Sequence, residues 1–126
     1  MAYISGIDRE QVNIVMTSLD QLIDEDNPVR VIDAYVDSLD LKVLEFIEYD
    51  GSHKGQAPYR RKDLLKLHIY GYLNKMRASR RLEAEARRNL ELMWLVNGIT
   101  PDHGTIAGFV TQNKDCLLYT SDAADE

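Results

Sequence analysis

The stretch "YRRKDLLKLHIYGYLNKMRASRRLEAEARRNLELMWLVNG" (residues 59–98) decides the fold. Leu64, Leu65, Ile69, Tyr72, Leu73 and Met76 recur at a period near 3.6, which predicts a helix with one apolar stripe; Arg60, Arg61, Lys62, Lys66 and Lys75 lie off that stripe. Gly71 sits inside this pattern, where glycine costs about 1 kcal/mol relative to alanine, so another helix is expected to pack closely there. The tripeptide Arg77-Ala78-Ser79 reads as a tight connection with Ser79 as N-cap of a second helix. That helix is expected to bury Leu82, Ala86, Leu90 and Met93, and to continue or restart until Gly98, a suitable left-handed terminator. Together the two helices and their short turn predict a helix-turn-helix-like pair.

Upstream, Asn27 can cap free amides and Pro28 occupies the first helical position, where a missing N–H costs nothing. Val29, Ile32, Tyr35, Val36 and Leu39 then mark one helical face. Ser18 offers a cap to a short apolar turn through Leu19, Leu22 and Ile23, and residues 1–15 read as an irregular segment. From Leu41 to Ile47 the apolar residues are too dense to phase, and "YDGSHKGQAP" reads as a loop. Downstream of Thr100-Pro101 a last helical stretch faces Ile106, Phe109 and Val110 inward. With no longer strand signal, the fold class is all-α: a small helical domain of the size one core supports.

Composition excludes several classes. A single cysteine, Cys116, rules out an internal disulfide and leaves a cysteine-based zinc site short of ligands. No apolar run approaches the roughly 20 residues of a membrane helix, and no signal peptide is visible, so a cytoplasmic, reducing location without membrane partners is expected. The formal net charge of −6 conceals an asymmetry. Residues 1–50 carry twelve acids against three bases, whereas residues 51–88 carry eleven bases against Asp63, Glu83 and Glu85. At a screening length of about 8 Å these regions act separately, and the basic one governs what it meets.

Arg80 and Arg81 precede Arg87 and Arg88 by seven residues, nearly two helical turns, so both pairs share one side of a helix with small Ala84 between them. Arg60, Arg61 and Lys62 stand at a helix N-terminus, where cations oppose the dipole and a phosphate-bearing partner would explain them, and Lys66 one turn further on is expected to join them as a DNA contact. Three readings stay open on spacing alone. The stripe is a solvated face knitted by pairs such as Glu83–Arg87 and Glu85 with Arg81 or Arg88; or it contacts nucleic acid; or it docks on the acidic first fifty residues or another subunit. His68 reads as a core-edge histidine, His53 and His103 form no metal-ligand spacing, and Asp33, Asp37 and Asp40 read as a solvated face with no basic group in phase. No catalytic constellation and no cofactor or metal site is legible.

The phrases "LIDEDNPVRVIDAYVDSLDL", "PYRRKDLLKLHIYGYLNKMRASRRLEAEARRNLELMWLVNGITPD" and "TIAGFVTQNKD" resemble, over residues 16–115, the N-terminal domain of bacterial insertion-sequence transposases of the acidic-triad, RNase H-like type. The resemblance implies a helical domain that binds double-stranded DNA at the element's terminal inverted repeats, with self-association as a further partnership. Carried over by position, its basic residues are Arg60, then Arg77, Ser79, Arg80 and Arg81, with Arg87 and Arg88 following. It also implies that the fragment is not itself an enzyme, the divalent metal and its carboxylates belonging to a catalytic domain beyond residue 115. His103, Gly104, Gly108, Val110 and Thr111 depart from the family's usual "PDFKTIADFRKDN". Residues 116–126 resemble instead one reading frame of a transposon-based sequencing adaptor over ten successive residues, and are expected to be a non-native tail, left out of the fold and function reading, on a gene cut short.

Overall fold

The computed structural model describes residue 4, residues 6–41 and residues 59–125. The unphased segment after Leu41 and the whole "YDGSHKGQAP" loop, His53 included, lie outside the described residues. Seven helices run through the rest, and no strand occurs among the described residues: α1 (Leu19–Leu22), α2 (Pro28–Asp37), α3 (Arg61–Leu73), α4 (Ser79–Arg88), α5 (Leu90–Leu95), α6 (His103–Gln112) and α7 (Lys114–Asp125). The class is all-α, as the periodicity requires.

Local signals place the early helices. Ser18 and Gln21 form a reciprocal capping box on α1, and Asn27 accepts from the Val29 N–H at the start of α2 with Pro28 at its first position. Val29, Ile32 and Val36 are buried, with Tyr35 and Leu39 packed beside them. Arg30 ties α1 to α2: its guanidinium donates to the Ile23 carbonyl (2.7 Å) and to Asp20 Oδ1 (3.0 Å), and lies 4.8 Å over the Trp94 ring on α5.

α3 is the central helix, packed against α2, α5, α6 and α7. It therefore buries more than a stripe: Leu64, Leu65, Lys66, Leu67, Ile69, Tyr70 and Gly71 are all inside. The expected one-sided stripe with Lys66 outside it is corrected by this placement, since helices on several sides leave few solvated positions. Left-handed residues then shape the chain at two turns. Lys75 (φ 60°) lets the Met76 N–H reach back to the Gly71 carbonyl at 2.7 Å, closing α3; Asn97 (φ 55°) does the same for α5, with the Gly98 N–H on the Met93 carbonyl at 2.9 Å. The sequence points to Gly98 for that role, and Gly98 is itself left-handed (φ 78°), directly after Asn97 in a conformation that asparagine tolerates.

The second long helix breaks at Asn89, which ends α4 and caps α5 by accepting from the Leu92 N–H. The break resets the helical phase: Leu82 and Ala86 are buried as expected, but Leu92, Leu95 and Val96 enter the core in place of exposed Leu90 and half-buried Met93. At the other end Ala78, not Ser79, is the N-cap of α4, and Ser79 makes no capping bond. The tail that resembles translated adaptor is helical. α7 packs on α3, Leu117 joins the core, and Tyr35 donates to the Thr120 carbonyl at 3.2 Å. Ser121 Oγ is nevertheless buried with no partner among the described residues, a situation that costs about 1–3 kcal/mol.

Candidate nucleic-acid interface

At about 100° per residue, Arg80, Ala84, Arg87, Arg88 and Arg81 fall within an arc of roughly 120° on α4, and Leu82 and Ala86 point the opposite way. Burial agrees: the four arginines are exposed, while Leu82 and Ala86 are buried in the core. The arginine face is thus the outer surface of a helix whose inner seam is fixed.

Flanking carboxylates are drawn away from most of this face. Glu83 Oε2 accepts from both the backbone N–H and the ring Nδ1 (2.8 Å) of His103, so it caps α6 and leaves the expected Glu83–Arg87 pair unformed. Those bonds from His103 hold the Glu83 carboxyl below its ordinary range. Glu85 does pair with Arg88, at 2.6 Å, and its other oxygen accepts from Asn89 Nδ2 at 3.1 Å; bonds from Arg88 and then Asn89 hold it below its ordinary range as well. Arg80, Arg81 and Arg87 make no hydrogen bond or ion pair with another described residue. Arg77, exposed in the turn before α4, lies 5.3 Å over the Tyr72 ring.

The basic residues of α3 do something else. Lys66 is 5% exposed, and its ammonium bonds Asp33 at 2.6 Å and Asp37 at 3.1 Å on α2, so it is unavailable to a polyanion. Asp33 and Asp37 correspondingly have a basic partner, correcting their reading as a merely solvated face. Burial works against the Lys66 charge, but the bonds to Asp33 and Asp37 outweigh it and raise its pKa above the ordinary lysine value. Lys62 donates to the Asp37 carbonyl at 3.1 Å, and Arg60, Arg61 and Lys62 line a shallow cleft with Leu39, Asp40 and Leu41. These cations stand beside the C-terminal end of α2, whose free carbonyls favour positive charge. Intramolecular electrostatics therefore accounts for a cluster that its own helix end disfavours, and no phosphate is needed to explain it.

Sequence reasoning missed Asn89. Its side chain caps α5 through Oδ1 and ties α4 to α3 through Nδ2, which donates to Tyr70 Oη (3.1 Å) and Glu85. Tyr70 donates in turn to Glu91 (3.0 Å), whose other oxygen accepts from Asn27 Nδ2 (2.8 Å). Burial pushes the Tyr70 phenol up to about 12. An asparagine directly before an apolar run is a cap signal that would have located this junction. His68 is half-buried, and burial holds its pKa down. Among the described residues no group of three His, Cys, Asp or Glu side chains can hold a metal ion, and no helix is long and apolar enough to cross a membrane.

Comparison with known proteins gives one result. The sequence model of a family described as Transposase domain (DUF772) matches residues 17–112. No curated protein and no solved structure matches.

Proposed function

The chain belongs to the transposase domain family DUF772, and from that membership we propose that it is a DNA-binding module that recognises the terminal inverted repeats of an insertion sequence. The observation that carries the reading is the outward arginine face of α4, with Arg80, Arg81 and Arg87 in no hydrogen bond or ion pair with another described residue. Guanidinium groups held in water opposite a buried seam lose little solvation in meeting phosphates, and release of the counterions of DNA drives the contact. Arg77, at the turn, extends the same basic surface, and Arg60 remains exposed at the start of α3. Lys66 and Lys62 take no part.

On this reading the chain carries no catalytic residue. The metal-binding carboxylates of an acidic-triad, RNase H-like transposase belong to a separate domain, and the module works in the bacterial cytoplasm. Residues 116–126 keep their likeness to translated adaptor, supported by the family match stopping at residue 112 and by the orphaned Ser121 hydroxyl.

Self-association is the second reading, favoured by Ile4, Val12, Ile14 and Met16, all fully open to water in the segment before α1. One titration separates the two. Arg80→Ala/Arg81→Ala is measured against duplex carrying the parent element's end and against random duplex. The DNA-binding reading expects affinity for both to fall about tenfold or more, with oligomeric state unchanged. Unchanged binding to both, with loss of self-association, would instead make α4 an assembly surface.

A further inference from the structure

We propose that Arg88 is the base-reading residue of this interface, taking a guanine edge in the major groove, with Glu85 and Asn89 as its positioning residues. The inference rests on the DNA-binding reading above. A guanidinium has two hydrogen-bonding edges, one made by Nε and Nη2 and the other by the two terminal nitrogens. Arg88 spends the first on Glu85: Nε and Nη2 donate to Oε1 at 2.9 and 2.6 Å. Its terminal edge stays available, on a side chain that is 69% exposed.

Glu85 is itself held. Its side chain is only 12% exposed, and its second oxygen accepts from Asn89 Nδ2. Asn89 is anchored by Tyr70 and by its cap on α5. Through Tyr70, Glu91 and Asn27 the aim of one arginine is therefore set by α2, α3 and α5 together.

The chemistry of the two kinds of target separates the arginines. Guanine presents N7 and O6 side by side, a pair that accepts only from a fork pointing the right way. Phosphate accepts from many directions and tolerates a mobile cation. A side chain already fixed loses less freedom on binding than one that must be ordered at that moment. Glu85 also cancels most of the long-range attraction of Arg88 for phosphate while leaving its two donors intact. Arg80, Arg81 and Arg87, without such support, make the phosphate contacts.

The test is selection from a pool of duplexes with a randomised core, using the full chain and three variants: Arg88→Ala, Glu85→Gln and Arg80→Ala/Arg81→Ala. Wild type is expected to enrich a motif containing guanine at a defined position. Arg88→Ala should lose that preference by roughly tenfold or more at that position alone, with affinity for the unselected pool changed less than about threefold. Glu85→Gln should weaken the same single preference, an effect that a merely structural role would not confine to one base. Arg80→Ala/Arg81→Ala should weaken binding to every sequence and keep the guanine. Enrichment of an unchanged motif by Arg88→Ala, or loss of the guanine in Arg80→Ala/Arg81→Ala, overturns the assignment while leaving DNA binding in place. Failure of wild type to bind any duplex at low salt overturns both.

Discussion

Gly71→Ala should destabilise the protein by about 2–4 kcal/mol, although alanine is the better helix former by about 1 kcal/mol. A Cβ at this position lies 2.5 Å from the Met76 carbonyl oxygen and 2.9 Å from Leu82 Cδ2. Neither neighbour yields easily. The Met76 carbonyl belongs to the turn that closes α3, whose N–H is bonded back to Gly71 at 2.7 Å, and Leu82 is buried in the seam of α4. Relief of the clash must push the turn outward and carry the start of α4 with it, so the arginine face loses its position as the core loses packing. Gly108 supplies the control, because nothing lies within 4 Å of a Cβ there. Gly108→Ala should be neutral or stabilising by up to about 1 kcal/mol. Thermal unfolding followed by circular dichroism measures both, and a harmless Gly71→Ala would contradict the described approach of α3 and α4.

The buried ion pair gives the second large effect, and its direction depends on which partner is removed. Asp33→Ala/Asp37→Ala leaves the Lys66 ammonium enclosed with nothing in place of either carboxylate, and is expected to cost about 2–4 kcal/mol. Lys66→Met should cost far less, about 1 kcal/mol or below, because the side chains of Asp33 and Asp37 are 32% and 57% exposed and can turn to water. The same site shapes the alkaline limb of stability. Lys66 has its pKa raised in the folded state, so its contribution is complete below the ordinary value of 10.5 and is lost as pH rises through the higher folded value. Tyr70, pushed from 10.0 up to about 12, loses its contribution over the same window. Urea unfolding between pH 9 and 11.5 is therefore expected to show stability falling above about pH 10. The fall should be shallower in Lys66→Met. Equal slopes would remove Lys66 from the account.

What the sequence makes legible is what its neighbours along the chain decide. Asn27, Pro28 and the spacing of Val29, Ile32 and Val36 define α2 without help from the rest of the molecule. Gly71 announces a close approach because glycine is costly in a helix, and Leu82 is what approaches. Lys66 was not legible for the opposite reason: its partner Asp33 is 33 residues away, and a lysine off an apolar stripe is ordinarily solvated. The cations at the start of α3 mislead in the same way, since the helix end that favours them is that of α2. At Asn89 the asparagine before an apolar run offers a cap signal, but the apolar residues beyond it are dense enough to continue the earlier phase on paper, and that density hides the reset that buries Leu92 and Leu95. The arginines of α4 were legible as a stripe, but their division into one held by Glu85 and three in no hydrogen bond or ion pair with another described residue depends on where His103 and Asn89 draw the flanking carboxylates.

The most direct measurement is the salt dependence of duplex binding, for wild type and for Arg80→Ala/Arg81→Ala/Arg87→Ala. With about five basic groups on phosphates, log K should fall against log salt with a slope near −4 to −5, and removal of three should bring the slope to about −2. Identical slopes for the two proteins, or binding indifferent to salt, would contradict a phosphate-contacting arginine face on α4.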